Sequence, residues 1–171
     1  VGAKVKTTYR DKGLDRIGRD LKLLDDLVVV VGVVGASASA KHPDSDTTVA
    51  TVALFNEFGT PTSPERSFIR SALREGQAEL ARKYQQQMTL VIMGRRSPVQ
   101  ALSACGQLGA QLVKRKLDTA SVWAVPLSLA TIKAKGSSVP LRDTDTVREA
   151  IGYAVRQGGP RGPTLEEGKA A

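Results

Sequence analysis

Seven of the eight residues from Leu27 to Val34 are leucine or valine, with Gly32 the one interruption. β-Branched side chains lose rotamer freedom in a helix and pack well on a pleated surface, so this run is a strand. It falls far short of the roughly 18 apolar residues that a membrane span requires, and no other window of the chain reaches that length. Without polar alternation, the strand is expected to be buried on both faces or to lie at an interface. Aromatic residues are only 4% of the chain against 41% apolar, so the core around the strand must be aliphatic. A thin core of this kind fits a chain whose stability leans partly on neighbouring subunits.

Helical periodicity surrounds the strand. Leu14, Ile17, Leu21 and Leu24 predict an amphipathic helix over Tyr9 to Asp26. Gly35 to Asp46 is small and polar and reads as a mobile loop. Asp46 or Thr47 is the expected N-cap of a short helix through Val49, Val52, Ala53 and Phe55. Gly59 to Pro64 breaks it. A long helix follows from about Glu65 to Met93, striped by Ile69, Leu73, Gly76, Leu80, Tyr84, Met88 and Val91. Ser97-Pro98 opens a second one, which runs to about Asp118. Its inner face is read as Val99, Leu102, Cys105, Leu108, Leu112 and Val113, while Ala101, Ala104, Gly106, Gly109 and Ala110 would let another backbone come close.

Beyond it, Val122–Val125 is predicted as a short strand, Ser128–Lys135 as a short helix and Gly136–Pro140 as a loop. Thr144 or Asp145 caps a last helix through Ala150, and Tyr153–Arg156 alternates as a strand. From Gly158 the sequence lacks periodicity and reads as a tail. The expected fold is α+β, two long helices on a small mixed or antiparallel sheet. Residues 1–157 form one domain with a mobile loop at 35–46, and residues 158–171 an extended C-terminal tail.

Catalytic chemistry finds no support. The one histidine, His42, lies in the polar loop and is expected to be solvated. Cys105 sits on an apolar stripe as a small core residue. One His and one Cys cannot make a zinc site within a subunit. Asp25-Asp26 and Glu166-Glu167 have no inferable pocket, and Asp44 with Asp46 supplies too few ligands for an oxygen-bound cation. Gly136-Ser-Ser lacks the spacing and lysine of a phosphate loop. No catalytic, cofactor-binding or metal-ligating residue is assigned, and the expectation is a protein that is not an enzyme. No secretory signal pattern opens the sequence and a lone cysteine makes no internal disulfide, so the expectation is a soluble protein made in a reducing cytoplasm.

The formal charge is +8, and its excess is localised. No Asp or Glu occurs between Leu80 and Leu117, whereas Arg82, Lys83, Arg95, Arg96, Lys114, Arg115 and Lys116 are basic. This stretch reads either as a surface for DNA or an acidic partner, or as solvated helix faces with basic C-termini. It lacks the interleaved aromatics that stack on single strands.

Two stretches are more specific. Thr51-Val-Ala-Leu-Phe-Asn-Glu-Phe-Gly-Thr60 with Pro64-Glu-Arg-Ser-Phe-Ile-Arg70 resembles the phage virion-morphogenesis and tail-completion proteins, in which a helix ends in Asn/Glu-Phe-Gly-Thr before an Arg-x-Phe. Ala124 to Thr144 is similar to that family's Pro-Leu-Ser, Thr, Lys-Gly and Pro-Leu-x-Asp-Thr signature, with Asp145 standing where the family has glycine. The two motif regions cover about a quarter of the chain.

The resemblance implies a structural protein of the neck or upper tail of a tailed bacteriophage. It would form a homo-oligomeric ring, expected to be hexameric, at the head-proximal end and enable head–tail joining. Implied partners are copies of itself, a tail terminator or tail tube protein, and head–tail connector proteins, with genomic DNA passing without sequence specificity and no membrane. The interface residues it points to are Asn56, Glu57, Phe58, Gly59, Thr60, Arg66, Phe68, Lys133, Lys135 and Gly136. Within the first motif, Glu57 and Arg66 are expected to pair across the turn, and Phe55 and Phe58 to pack on Phe68. No cofactor is expected.

Overall fold

The computed structural model describes residues 11–43, 46–127, 132–133 and 146–169. The predicted helix at Ser128–Lys135 (apart from residues 132 and 133, which are helical), the loop after it, and the caps proposed at Thr144 and Asp145 lie outside these residues.

The first helix, α1 (Lys12–Asp25), begins where Asp11 accepts hydrogen bonds from the Gly13 and Leu14 amides. It leads directly into β1 (Leu27–Val33). β1 pairs antiparallel with β2 (Ile151–Gln157), Val31 lying opposite Tyr153. β2 in turn pairs antiparallel with β3 (Thr164–Lys169), with an irregularity between Val155 and Arg156. The sheet order is β1-β2-β3, so the central strand comes from the C-terminal part of the chain. The α+β architecture expected from sequence is present, with an antiparallel sheet.

The segment 158–171 corrects one expectation. Gly158 and Gly159 adopt positive φ (72° and 110°), which turns the chain and sends 164–169 back along β2 as an edge strand. Glu166, Glu167 and Lys169 gave no apolar pattern because an exposed edge strand favours charge. Residues 164–169 therefore belong to the sheet.

The helical layer is a hairpin on one face of the sheet. After α2 (Ala36–Ser39) and α3 (Val49–Phe58) come α4 (Ile69–Glu75), α5 (Gln77–Ile92) and α6 (Pro98–Asp118). The single helix expected over 65–93 is interrupted at Gly76, which has φ −84° and ψ 5°. A Cβ there would stand 2.5 Å from Leu112 Cδ1, so the glycine serves close approach to α6 and breaks the helix. α6 opens with a capping box between Ser97 and Gln100, as Ser97-Pro98 predicts. Its buried face keeps the expected Leu102 and Val113, with Leu117, and is otherwise built from the small residues Ala101, Gly106, Gly109 and Ala110. Gly106 lies against Tyr153 and Gly109 against Val31, while Cys105, Leu108 and Leu112 are half-buried.

This packing sets a sign for Gly106→Ala. The methyl would lie 2.6 Å from Tyr153 Cδ2 and 2.9 Å from its Cβ, in a buried ring on the central strand. Helix propensity favours alanine by about 1 kcal/mol, and overpacking costs about 1–3 kcal/mol. The expected net loss is about 1 kcal/mol, read as a lower urea midpoint with unchanged slope.

Further expectations change. The strand expected at Val122–Val125 is absent, and residues 120–123 form a single helical turn, α7 (Ala120–Trp123), held by the Trp123 indole donating to the Lys116 carbonyl at 2.8 Å. The last helix, α8 (Thr146–Ala150), runs straight into β2. Segment 35–46, expected to be a mobile loop, is organised in its described residues. α2 packs on α3, Lys41 bridges Thr48, and His42 N–H donates to Thr47 O at 2.9 Å. His42 is buried rather than solvated, because this folding-back covers it. The α3 N-cap is Thr48, one residue past the expected pair, its hydroxyl accepting from the Thr51 amide.

Candidate functional site

The motif residues around Gly59 assemble into one corner between α3 and α4. Gly59 closes α3, its N–H donating to Phe55 O at 2.8 Å, with φ 75° and ψ 176°. That conformation is accessible essentially to glycine alone, and a Cβ would stand 2.8 Å from the Glu65 backbone nitrogen. Thr60 and Ser63 then exchange backbone hydrogen bonds across Pro61-Thr62. The chain returns with the Arg66 amide donating to Asn56 O at 2.8 Å, and Asn56 Nδ2 is tied to Val52 O.

Glu57 is the centre of this corner. It is 4% exposed, and its carboxylate accepts from Ser67 Oγ (2.8 Å), the Ile69 amide (2.8 Å), the Arg70 amide (3.0 Å) and Arg70 Nε (3.0 Å). The residue preceding α4 is Phe68, whose side chain cannot cap a helix. A carboxylate from the preceding helix therefore satisfies the first amides of α4, and its charge sits at the positive end of the helix dipole. Burial raises the carboxyl's pKa, but the hydrogen bonds from Arg70, Ile69 and Ser67 outweigh it and hold the group below its ordinary value.

Glu57 thus pairs with Arg70, not with Arg66 as expected from the turn. Arg70 Nη2 also reaches Glu57 O (3.0 Å) and Glu65 Oε1 (2.6 Å), and its guanidinium lies 4.5 Å from the Phe58 ring centroid. The hydrogen bond to Glu57, with the two carboxylate charges, raises the Arg70 pKa. Arg66 points to the other side. It is buried, with Nε on Val125 O at 3.1 Å and Nη1 on Ser63 Oγ at 3.3 Å, and burial lowers its pKa. Arg66 so joins this corner to the start of the second motif. The spacing Glu57-x12-Arg70 is the sequence signal for the true pair: once α4 starts at Ile69, Arg70 stands in its first turn, where the capping carboxylate must be.

The three phenylalanines separate. Phe68 is fully buried with Ala53, Ala72, Ala110, Val113, Leu117 and Ile151. Phe55 and Phe58 are 46% and 57% exposed and do not pack into that cluster, because α3 turns its Ala53 and Glu57 side inward. Leu54 beside them is also exposed. Lys133 is exposed; Lys135 and Gly136 lie outside the described residues.

The basic stretch does not form one face. Arg115 pairs with Glu79 at 3.1 Å, and Lys116 with Glu75 at 2.6 Å while lying 4.8 Å from the Trp123 ring centroid. Glu75 and Glu79 fall outside the acid-free window in sequence, yet the helical hairpin lays them beside its C-terminal end. Burial lowers the Lys114 pKa, helped by Arg148 and Lys169 and opposed by Asp118 and Glu149. Arg82 and Lys83 border a cleft between α5 and α6, and Arg95 and Arg96 border a second one beside it.

Burial pushes the Cys105 thiol's pKa up against the pull of Lys83, which disfavours the reactive thiolate. Among the described residues no cluster of three or more His, Cys, Asp or Glu is placed to hold a metal ion, and no helix is long and apolar enough to cross a membrane. No protein-family model, curated protein or solved structure matches this chain.

Proposed function

We propose that this chain is a structural protein of a tailed bacteriophage, acting without catalysis in a ring at the head-proximal end of the tail to enable head–tail joining. The observation that carries the reading is the corner built by the first motif. Asn56, Glu57, Gly59, Arg66 and Arg70 spend their polar chemistry on backbone and on one another, which makes a stiff support rather than a site open to a substrate. That support holds Leu54, Phe55 and Phe58 outward. Exposed apolar side chains grouped on a rigid element mark surfaces that meet other proteins. Copies of the chain, a tail terminator or tube protein, and the connector are the proposed neighbours.

The test uses virions of the phage that encodes the chain. Antibody labelling is expected to place it at the junction of capsid and tail, and particles lacking it are expected to accumulate as separate filled heads and finished tails. Virions that carry no copies at that junction overturn the reading, as does turnover of a small molecule by the purified chain.

A further inference from the structure

Four cations of the helical hairpin converge on a trough that the structural role proposed above does not use. One cleft, of about 400 Å³, lies between α5 and α6 and is bordered by Arg82 and Lys83, with Gln86, Gln107 and Gln111 along its walls. A second, of about 380 Å³, is bordered by Arg95 and Arg96 beside Gln100 and Gln107. The two share Ala104 and Gln107, so they run on from each other along α6. From Gln100 to Gln111 that helix rises by about 16 Å. Among the described residues, Arg82, Lys83, Arg95 and Arg96 form no ion pair, in contrast to Arg115 and Lys116 at the other end of the hairpin. Arg96 does donate to Gln87 Oε1 at 2.8 Å.

Two carboxylates border the trough. Glu79 is engaged by Arg115, and Glu166 of β3 faces the second cleft, which leaves an excess of positive charge. Ser103 borders that cleft at 5% exposure, and its hydroxyl has no hydrogen-bond partner among the described residues.

We propose that this trough binds the phosphodiester backbone of a single nucleic-acid strand, without reading its sequence. Arginines and amide side chains along a groove suit phosphate oxygens. The paired clefts are far longer than one isolated anion needs. The one aromatic residue on the trough, Tyr153, is buried at 8% exposure and offers no open face to a base, so contact is to the backbone and not through stacking. This inference stands whether or not the chain belongs to a phage tail.

The test titrates the full chain into a fluorescein-labelled 12-nucleotide single strand, read by anisotropy at two salt concentrations. The variants are Arg95→Gln/Arg96→Gln and Arg82→Gln/Lys83→Gln, each beside the charge-matched control Arg19→Gln/Arg74→Gln, whose exposed arginines lie off the trough. Each trough double variant is expected to weaken binding about tenfold and to reduce the slope of log K against log salt by about 1.4, the value for two lost phosphate contacts on a single strand. The control is expected to bind like the parent. Three results overturn the proposal: no binding of the strand at low salt, an equal loss in the control, or competition by inorganic phosphate at a matched concentration of phosphate groups. The last of these would make the trough a site for a free anion.

Discussion

Glu57→Ala is expected to lower the free energy of unfolding by about 2–4 kcal/mol, from two helix-start amides each left without an acceptor at about 1–3 kcal/mol. The substitution deprives the Ile69 and Arg70 amides of their acceptor at a helix start where nothing else caps them. It also removes the ionic partner of Arg70 on the α3 side. Urea unfolding measures the loss, and a change below about 1 kcal/mol would mean that the corner is held by apolar packing alone. A second variant isolates the charge. In Glu57→Gln the shape remains while the group stays neutral at every pH.

The sign of the pH effect follows from the depressed folded-state pKa of Glu57. Its stabilising contribution is complete above the unfolded carboxyl value of about 4.3. It is lost as pH falls through that value toward the lower folded one. The parent protein should therefore lose more stability than Glu57→Gln between pH 7 and pH 3. Equal losses in the two would show that the Glu57 carboxylate takes no part in the acid sensitivity.

The legible part of this fold is the part that local rules control. The strand at Leu27, the Ser97-Pro98 helix start, the helix stop at Gly59 and the small residues of α6 each follow from backbone preference or from a missing Cβ. What stayed hidden depends on contacts distant in sequence. β3 reads as a polar tail because an edge strand draws its order from β2 rather than from its own side chains. His42 reads as solvated because the bridge from Lys41 to Thr48 that covers it leaves no composition signal. The acid-free window from Leu80 to Leu117 conceals the ion pairs of Arg115 and Lys116 because Glu79 and Glu75 approach them only once the hairpin has formed. At the candidate corner the helix stop at Gly59 was legible, while the partner of Glu57, Arg70, was not named from sequence. Arg66 is nearer to Glu57 in sequence, but the helix begins at Ile69, and only Arg70 then lies over the capping carboxylate.

The phenylalanines of the first motif separate folding from assembly. Phe68→Ala is expected to cost about 3–5 kcal/mol, as for other large aromatic side chains truncated in a core, since Phe68 is fully buried in the main apolar cluster. Phe55→Ala and Phe58→Ala expose no new cavity. They should each cost less than about 1 kcal/mol, with Phe58 losing the ring contact to Arg70. Measured by urea unfolding, the three side chains of one short motif thus fall into two classes. Assembly should order them differently. If the corner meets a neighbouring copy, Phe55→Ala/Phe58→Ala gives a folded chain that sediments as a smaller species than the parent at equal concentration. Parent and double variant sedimenting alike, at concentrations where the parent is oligomeric, would move the contact to another surface. Within the described chain Phe55 and Phe58 stay 46% and 57% exposed, although Arg70 lies over the Phe58 ring, and a rigid element that leaves two aromatic side chains so open is suited to a neighbouring protein.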